Sequence, residues 1–236
     1  MRQVTVAEYC HERLGDEFER ALSSYDTLRR VETLVDEFLP DSALVGSHAL
    51  DVGCGLGYFS ERLQERGAHV TGCDIGVNLL ERTRARVGCH TVLADALRLL
   101  EQFAPNQFDV VVSSECIEHT PDPAEAVRQM VLVLKPGGLL AISTPNLLWF
   151  PVVRMATWLG VRPFDGHENF STWHALRRSV GRSGAQVIRE KGLHLFPFQF
   201  GAHGVSRWLD RRAQPLRAAM INLCVLARKR GPTPAI

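Results

Sequence analysis

The chain has 236 residues, 45% of them hydrophobic and 22% charged, which is enough for one domain of ordinary size with a substantial core. Its 27 basic and 26 acidic residues leave a formal net charge of +1, so no global bias announces a nucleic-acid partner. The six cysteines (Cys10, Cys54, Cys73, Cys89, Cys116, Cys224) form no C-x-x-C pair and read as small reduced core residues, with neither zinc nor disulfide implied. The opening residues, MRQVTVAEYCHERLGD, lack an apolar signal region, and no apolar run is long enough for a transmembrane helix, so a cytoplasmic protein is expected.

Residues 5–38 read as helical, because Val31, Leu34, Val35 and Phe38 follow the i, i+3, i+4, i+7 spacing of a one-sided helix. Pro40-Asp41-Ser42 breaks that run. A first strand, Ala49 to Val52, leads into glycines at alternate positions, Gly53, Gly55 and Gly57, and then an amphipathic run from Tyr58 to Arg66. Strands follow at 68–75, ending in Asp74; at 91–95, ending in Asp95; and at 108–114. Asp122 is a good N-cap with Pro123 at the first helical position and Glu125 behind it; Ala124, Val127, Met130, Val131 and Leu134 form the expected buried stripe. Lys135 to Gly138 reads as a turn before a fifth strand, Leu139 to Ser143.

Beyond Thr144 the alternation stops, and 144–170 reads as an insertion. A helix is expected over Ser171 to Arg182, strands over Gln186 to Leu195 and Ala219 to Ala227, and a frayed tail over Arg228 to Ile236. The divisions are therefore an N-terminal helical part (1–45), a core (46–143), a lid insertion (144–170), a C-terminal helix and strands (171–228) and a tail (229–236), all in one domain.

A strand that ends in a glycine turn at a helix start brings bare backbone and a helix N-terminus close to a ligand, and nucleotide-type cofactors bind there in doubly wound α/β folds. The form is G-x-G-x-G; Tyr58 stands where the dinucleotide fingerprint requires Gly or Ala, which argues against an NAD(P) oxidoreductase. An acid about 20 residues past the first glycine, Asp74, suits a ribose diol.

LDVGCGLG, the strand-end Asp74, Asp95, FDVVVSSE and LKPGGLLAIS occur in an order and spacing that resemble the class I S-adenosylmethionine (SAM)-dependent methyltransferases, over roughly residues 45–146. The resemblance implies a Rossmann-like, seven-stranded, mostly parallel α/β sheet with an antiparallel last strand, whose final two strands form an edge hairpin. It implies that Asp51 and the loop residues Gly53, Cys54, Gly55 and Gly57 face the methionine part of SAM. It implies that Asp74, with Ile75 beside it, holds the ribose, that Asp95 and Ala96 meet the adenine, and that Ser114 and Glu115 complete the cofactor set.

Glu115, Glu118 and His119 fall within five residues at the end of the fourth strand, and oxygen ligands plus imidazole suit Mg²⁺, Mn²⁺, Fe²⁺ or Zn²⁺. His167 is the candidate further ligand, with His174 in reserve. This E-x-x-E-H resembles the motif of the ubiquinone-biosynthesis O-methyltransferases and of the small-RNA 3′-terminal 2′-O-methyltransferases, the latter of which use it as a metal site. A metal would orient and acidify an acceptor hydroxyl. Without one, His119 would have to act as the base, with Glu118 beside it. The other readings are that Glu115 lines the methionine pocket and Glu118 caps the turn. His11, His48, His69, His90, His194 and His203 read as structural or solvent-facing.

Trp149, Phe150, Trp158, Phe164, Phe170 and Trp173, with Phe196, Phe198 and Phe200, make the acceptor side aromatic, whether as core and lid or as a pocket for an apolar or aromatic small molecule. Flanked by Arg154 and Arg162, the lid could also meet a membrane surface, which the lipid-tailed phenols of the ubiquinone-type relatives suggest too. The expectation is an O-methyltransferase acting on a metabolite hydroxyl. The alternatives are an RNA terminal-ribose methyltransferase, to which the basic C-terminal third gives some support, a metal-free N- or C-methyltransferase, and a SAM-binding protein without turnover.

Overall fold

Among the described residues, seven strands make a single sheet in the order β3-β2-β1-β4-β5-β7-β6. The structure is a computed structural model that describes residues 24–158, 168–195 and 203–231. Helix α1 (Ser24–Val31) runs through a π-helical turn (Glu32–Glu37) toward a short helix α2 (Asp41–Leu44). Then come β1 (His48–Val52), α3 (Tyr58–Glu65), β2 (His69–Asp74), α4 (Val77–Val87), β3 (His90–Leu93), β4 (Phe108–Ser114) and α5 (Pro123–Val133). β5 (Leu134–Pro145), α6 (Phe150–Trp158), α7 (Trp173–Arg182), β6 (Ala185–Leu193), α8 (His203–Arg212) and β7 (Asn222–Lys229) follow. Pairing is parallel from β3 through β5, and β7 is antiparallel to both of its neighbours.

The central strands read as continuous apolar runs because both of their faces are covered. Leu50, Val52, Val111 and Ile142 turn to one side, where Met130 and Val131 of α5 and Leu176 and Val180 of α7 meet them. Ala49, Val110, Val112 and Ala141 turn to the other, against Val31, Leu34, Val35, Phe38 and Leu63. Helix α5 starts as its sequence dictates: the Asp122 carboxylate accepts from the amides of Ala124 and Glu125, both at 3.1 Å. Such a cap is worth about 1 kcal/mol.

Several boundaries differ from expectation. Ala124 is exposed and Ala126 takes its place in the buried stripe, because the stripe follows the face of α5 turned to the sheet. Lys135 to Gly138 forms no break between elements. Phe108 pairs with Leu134 and Val110 with Leu139, so these residues bulge out of an otherwise continuous β5, with Gly137 at φ +82°. Arg228 and Lys229, assigned to a frayed tail, are the last residues of β7, paired with Gln186 and Ala185. The β6–β7 hairpin carries an unexpected helix, α8, whose buried residues are Ser206 and Asp210. A helix that buries polar residues has no apolar stripe to betray it. Residues 1–23, 159–167, 196–202 and 232–236, and with them Cys10, His11, Arg162, Phe164, His167, Phe196, Phe198 and Phe200, lie outside the described residues.

Among the described residues no helix is long and apolar enough to cross a membrane.

Candidate functional site

The glycine loop is shaped by its backbone. Gly53, Gly55 and Gly57 all have positive φ, at +73°, +53° and +83°. The amides of Gly53 and Cys54 both donate to the Cys73 carbonyl, at 2.8 and 3.0 Å, which folds the loop over the end of β2. A Cβ on Gly53 would stand 2.7 Å from the Cys116 sulfur, so the loop and the turn beyond β4 are in contact there. Thr83 of α4 donates its hydroxyl to the Gly55 carbonyl at 2.9 Å, and Cys54 lies buried beneath it.

Asp74 is buried where β2 ends. Its two carboxylate oxygens accept separately, one from the Gly55 amide at 3.1 Å and one from the Gly76 amide at 2.9 Å. Each oxygen keeps a lone pair for a ligand hydroxyl. Asp51, by contrast, spends its carboxylate on the Ser60 hydroxyl of α3 at 2.6 Å. Burial, reinforced by the Asp74 charge, pushes its pKa up to about 7. Asp95 is exposed, accepts from the Leu97 amide at 2.9 Å and lines a cavity of about 210 Å³ together with Ile75, Leu93 and Arg98. Ala96 turns into the core.

Past β4 the chain kinks. Glu115 has φ +50°, and a 3₁₀ turn over Ile117–His119 follows. The Glu118 side chain is 2% exposed and accepts from the Thr144 hydroxyl at 3.2 Å; His119 is 25% exposed, so of the two only the imidazole is open to a ligand. His119 Nε2 stands 3.9 Å from Glu118 Oε1. Burial, then repulsion from Glu115, holds the Glu118 carboxyl well above the usual carboxylate range. Burial raises Glu115 too, against the opposing charge of Arg30. Glu115 accepts from the Ser143 hydroxyl at 3.0 Å, and Ser143 in turn shares a 2.9 Å hydrogen bond with Ser114.

The three expected metal donors therefore do not converge. Among the described residues no three His, Cys, Asp or Glu side chains are grouped to hold an ion. Glu115 is drawn to Ser143 and Arg30, and His174 is exposed on the first turn of α7. Glu118 and His119 stay adjacent.

Two residues of this site, Arg30 and Asp26, are absent from the sequence reading, and a third, His194, was read there only as structural or solvent-facing. Arg30 of α1 is buried and donates to the Ser114 hydroxyl at 2.8 Å and to Asp26 at 2.9 Å. Asp26 bonds His194 Nε2 at 2.9 Å, and His194, with φ +61°, is wholly buried at the end of β6. Burial works against the Asp26 charge, but Arg30 and His194 outweigh it and lower its pKa to about 2. The helical spacing gave no signal for them: in α1 Leu28 is exposed while the consecutive Arg29 and Arg30 are buried, the reverse of what an apolar stripe would mark.

The insertion is pinned at both roots. Asn146 is buried, donates to the carbonyls of Ala218 and Met220 at 2.8 Å each, and pairs as a bridge with Ser171. Asn169 donates its backbone amide to the Glu118 carbonyl at 2.8 Å and its side-chain amide to the Thr120 carbonyl at 2.7 Å. Between the roots, α6 leaves Val152, Met155 and Trp158 exposed, Trp158 by 83%.

A family model described as a methyltransferase domain matches residues 50–142. The ubiquinone biosynthesis O-methyltransferase of Pseudomonas aeruginosa (strain UCBPP-PA14) is 39% identical over 155 residues, 62% of this chain and 67% of that protein. Its counterpart in Aeromonas salmonicida is 38% identical over 178 residues, 71% of this chain and 74% of the relative. Among solved structures, a SAM-dependent methyltransferase from Mesorhizobium loti covers 84% of this chain and 98% of its own, with a TM-score of 0.66 at 24% identity. The [4+2]-cyclase SpnF covers 86% of this chain and 80% of its own, with a TM-score of 0.62 at 19% identity. The second of these performs a different reaction on a like frame, so at such identities the likeness is one of fold.

Proposed function

Because the chain belongs to the class I SAM-dependent methyltransferases, close to the ubiquinone-biosynthesis O-methyltransferases, we propose that it transfers the methyl group of SAM to a hydroxyl of an apolar or aromatic metabolite. The observation that carries this reading is the contact between the two halves of the site. Cys116, inside the turn that holds Glu115, Glu118 and His119, packs on Gly53 of the glycine loop. A methyl donor lying along the loop would present its sulfonium beside that turn.

In this reading Asp74 takes the ribose hydroxyls, and the loop backbone around Gly53, Cys54, Gly55 and Gly57 takes the methionine end. Ile75, Asp95 and the cavity between them receive the adenine, with Ala96 behind. Asp51 anchors the loop through Ser60. Ser114 and Glu115 close the floor. The sulfonium methyl is already activated, so transfer is an in-line displacement governed by positioning. The acceptor oxygen forms a bond to the methyl carbon, the C–S bond breaks with its electron pair passing to sulfur, and neutral S-adenosylhomocysteine leaves. The hydroxyl proton goes to the partly exposed His119, whose ring is oriented beside Glu118.

A divalent ion is the finer part of the proposal. Of the expected donors His119 is open to an ion, whereas Glu118 is buried and turned to Thr144, so an ion here would need Glu118 to turn outward and His167, outside the described residues, to join it. Bound there, the ion would supply Lewis acidity to the acceptor oxygen. The aromatic lid, with Leu148, Met155 and Trp158 exposed beside Arg154, supports an apolar acceptor and a peripheral, cytoplasmic-side contact with a membrane surface.

The test is incubation with methyl-labelled SAM and a panel of alkylated catechols and phenols. The expected products are an aryl methyl ether and S-adenosylhomocysteine. Label entering only amines or RNA ends, or SAM bound without turnover, would overturn the acceptor class. Chelation is expected to abolish turnover and spare SAM binding. Full activity after exhaustive chelation would remove the ion from the proposal and leave His119 as the base.

A further inference from the structure

The backbone on both sides of His119 is tied by one residue at the far root of the insertion, Asn169. Asn169 donates to the carbonyls of Glu118 and Thr120, the two residues that flank His119 in the chain. Within the turn the His119 amide reaches the Cys116 carbonyl at 3.1 Å, and the Thr120 hydroxyl reaches the Ile117 carbonyl at 2.7 Å. A three-residue 3₁₀ turn has poor hydrogen-bond geometry of its own. It also begins next to Glu115, whose left-handed backbone is sparsely populated for a residue with a Cβ. An external tie at both flanking carbonyls is what such a turn lacks.

Asn169 is in turn connected to the lid. The ring of its neighbour Phe170 meets Phe150, the first residue of α6, edge-on, with centroids 5.4 Å apart and planes at 78°. Ser171, one residue further, donates its amide to the Pro145 carbonyl and accepts at its own carbonyl from the Leu147 amide. The seat of α6 and the seat of Asn169 are thus fixed by the same short stretch.

We propose that Asn169 is a positioning residue for methyl transfer, fixing the His119 ring through the backbone on either side of it and making that fix depend on how α6 is seated. The proposal rests on His119 acting at the acceptor, as argued above. The same contacts could serve stability alone, and the two roles separate in a double-mutant cycle.

With an alkylated catechol as acceptor, Asn169→Ala is expected to lower kcat about tenfold, since it removes one hydrogen bond at the reacting turn. The Kd of SAM and the KM of the catechol should stay within about twofold, because a bond that only orients the base acts on the transition state and not on binding. Asn169→Asp keeps the shape but loses the donor, and should match Ala; it also serves if the Ala variant folds poorly. In a His119→Ala background either substitution should change the residual rate less than about twofold, the mark of residues acting as a unit. Phe150→Ala should lower kcat and be non-additive with Asn169→Ala. An unchanged kcat in both Asn169 variants, or a loss of equal size with and without His119, would overturn the proposal. Additive losses from Phe150 and Asn169 would overturn its lid coupling. Undiminished turnover in His119→Ala would instead sink the assignment of His119 itself, and this inference with it.

Discussion

Under β1 and β2 the rim of the sheet is made by backbone; beyond β4 and β5 it is made by side chains. On the first side, left-handed glycines turn the chain, one carbonyl takes two loop amides, and the Asp74 carboxylate is fixed by two more amides. On the second, Asp26, Arg30, Glu115, Glu118, Asn169 and His194 meet through their charges and amides. A site made of backbone has no room for an added Cβ and gives every nucleotide ligand of one shape the same grip. A site made of side chains can be retuned one residue at a time, which suits the half that must recognise the acceptor.

If this division is right, single substitutions should damage one function and spare the other. His119→Ala should lower turnover by about 10²-fold or more, the usual contribution of a positioned acid or base, while calorimetry shows unchanged SAM affinity. Joint loss of both would break the comparison at its strongest point. Gly53→Ala should act on the other side. At φ +73° and with the Cys116 sulfur 2.7 Å from the new carbon, it carries both strain and overlap, on the order of 3 kcal/mol together. Urea unfolding would read this, with Gly88→Ala as the control: φ is +70° there too, but nothing lies within 4 Å, so only about 1 kcal/mol of strain is expected. Equal losses at both glycines would show that crowding by Cys116 is unimportant. Asp74→Ala should weaken SAM binding by about 1.5–3 kcal/mol, the worth of hydrogen bonds to a charged group. Unchanged affinity in a folded variant would remove Asp74 from the ribose site.

The smallest effect sharpens the charge side of the comparison. Asp26 has a folded pKa of about 2 against an ordinary 3.8. A depressed acid stabilises the fold above its unfolded pKa, and that contribution is lost as pH falls through the folded value. Asp26→Asn should therefore cost roughly 2 kcal/mol at neutral pH, and the gap to wild type should close between about pH 4 and pH 2. A gap that stays constant across that window would mean the carboxylate charge is not what holds α1.

The division also explains what the sequence disclosed. LDVGCGLG, Asp74 and the FDVVVSS strand lie where expected because a glycine turn and a doubly covered strand are local properties of consecutive residues. Asp122 capped its helix for the same reason. Arg30 and Asp26 were not singled out, and His194 was read only as structural or solvent-facing, because the contacts that bring them to the site are distant: Arg30–Ser114 spans 84 positions and Asp26–His194 spans 168. Without a partner in view, a buried His is indistinguishable from a surface one. Helix α8 escaped because it turns Ser206 and Asp210 inward and leaves Val205 and Trp208 exposed, which inverts the apolar pattern that marks a helix. Glu115 was expected beside Glu118 and His119; its left-handed backbone and its bond to Ser143 aim it elsewhere, and no spacing rule foretells a kink of that kind.

The place of β7 has a consequence for how the chain is made. Among the described residues it is the last strand in sequence, but it lies between β5 and β6, both of which precede it. During synthesis, therefore, β5 must wait with one edge unpaired and β6 has no partner at all until the final strand emerges. Open edges of this kind invite pairing with other chains. The interval is long, because β6 and β7 are separated by α8 and a 3₁₀ segment, and non-local pairing is slow. The exposure of β5 and β6 therefore ends together, when Asn222 to Lys229 pair with both of them.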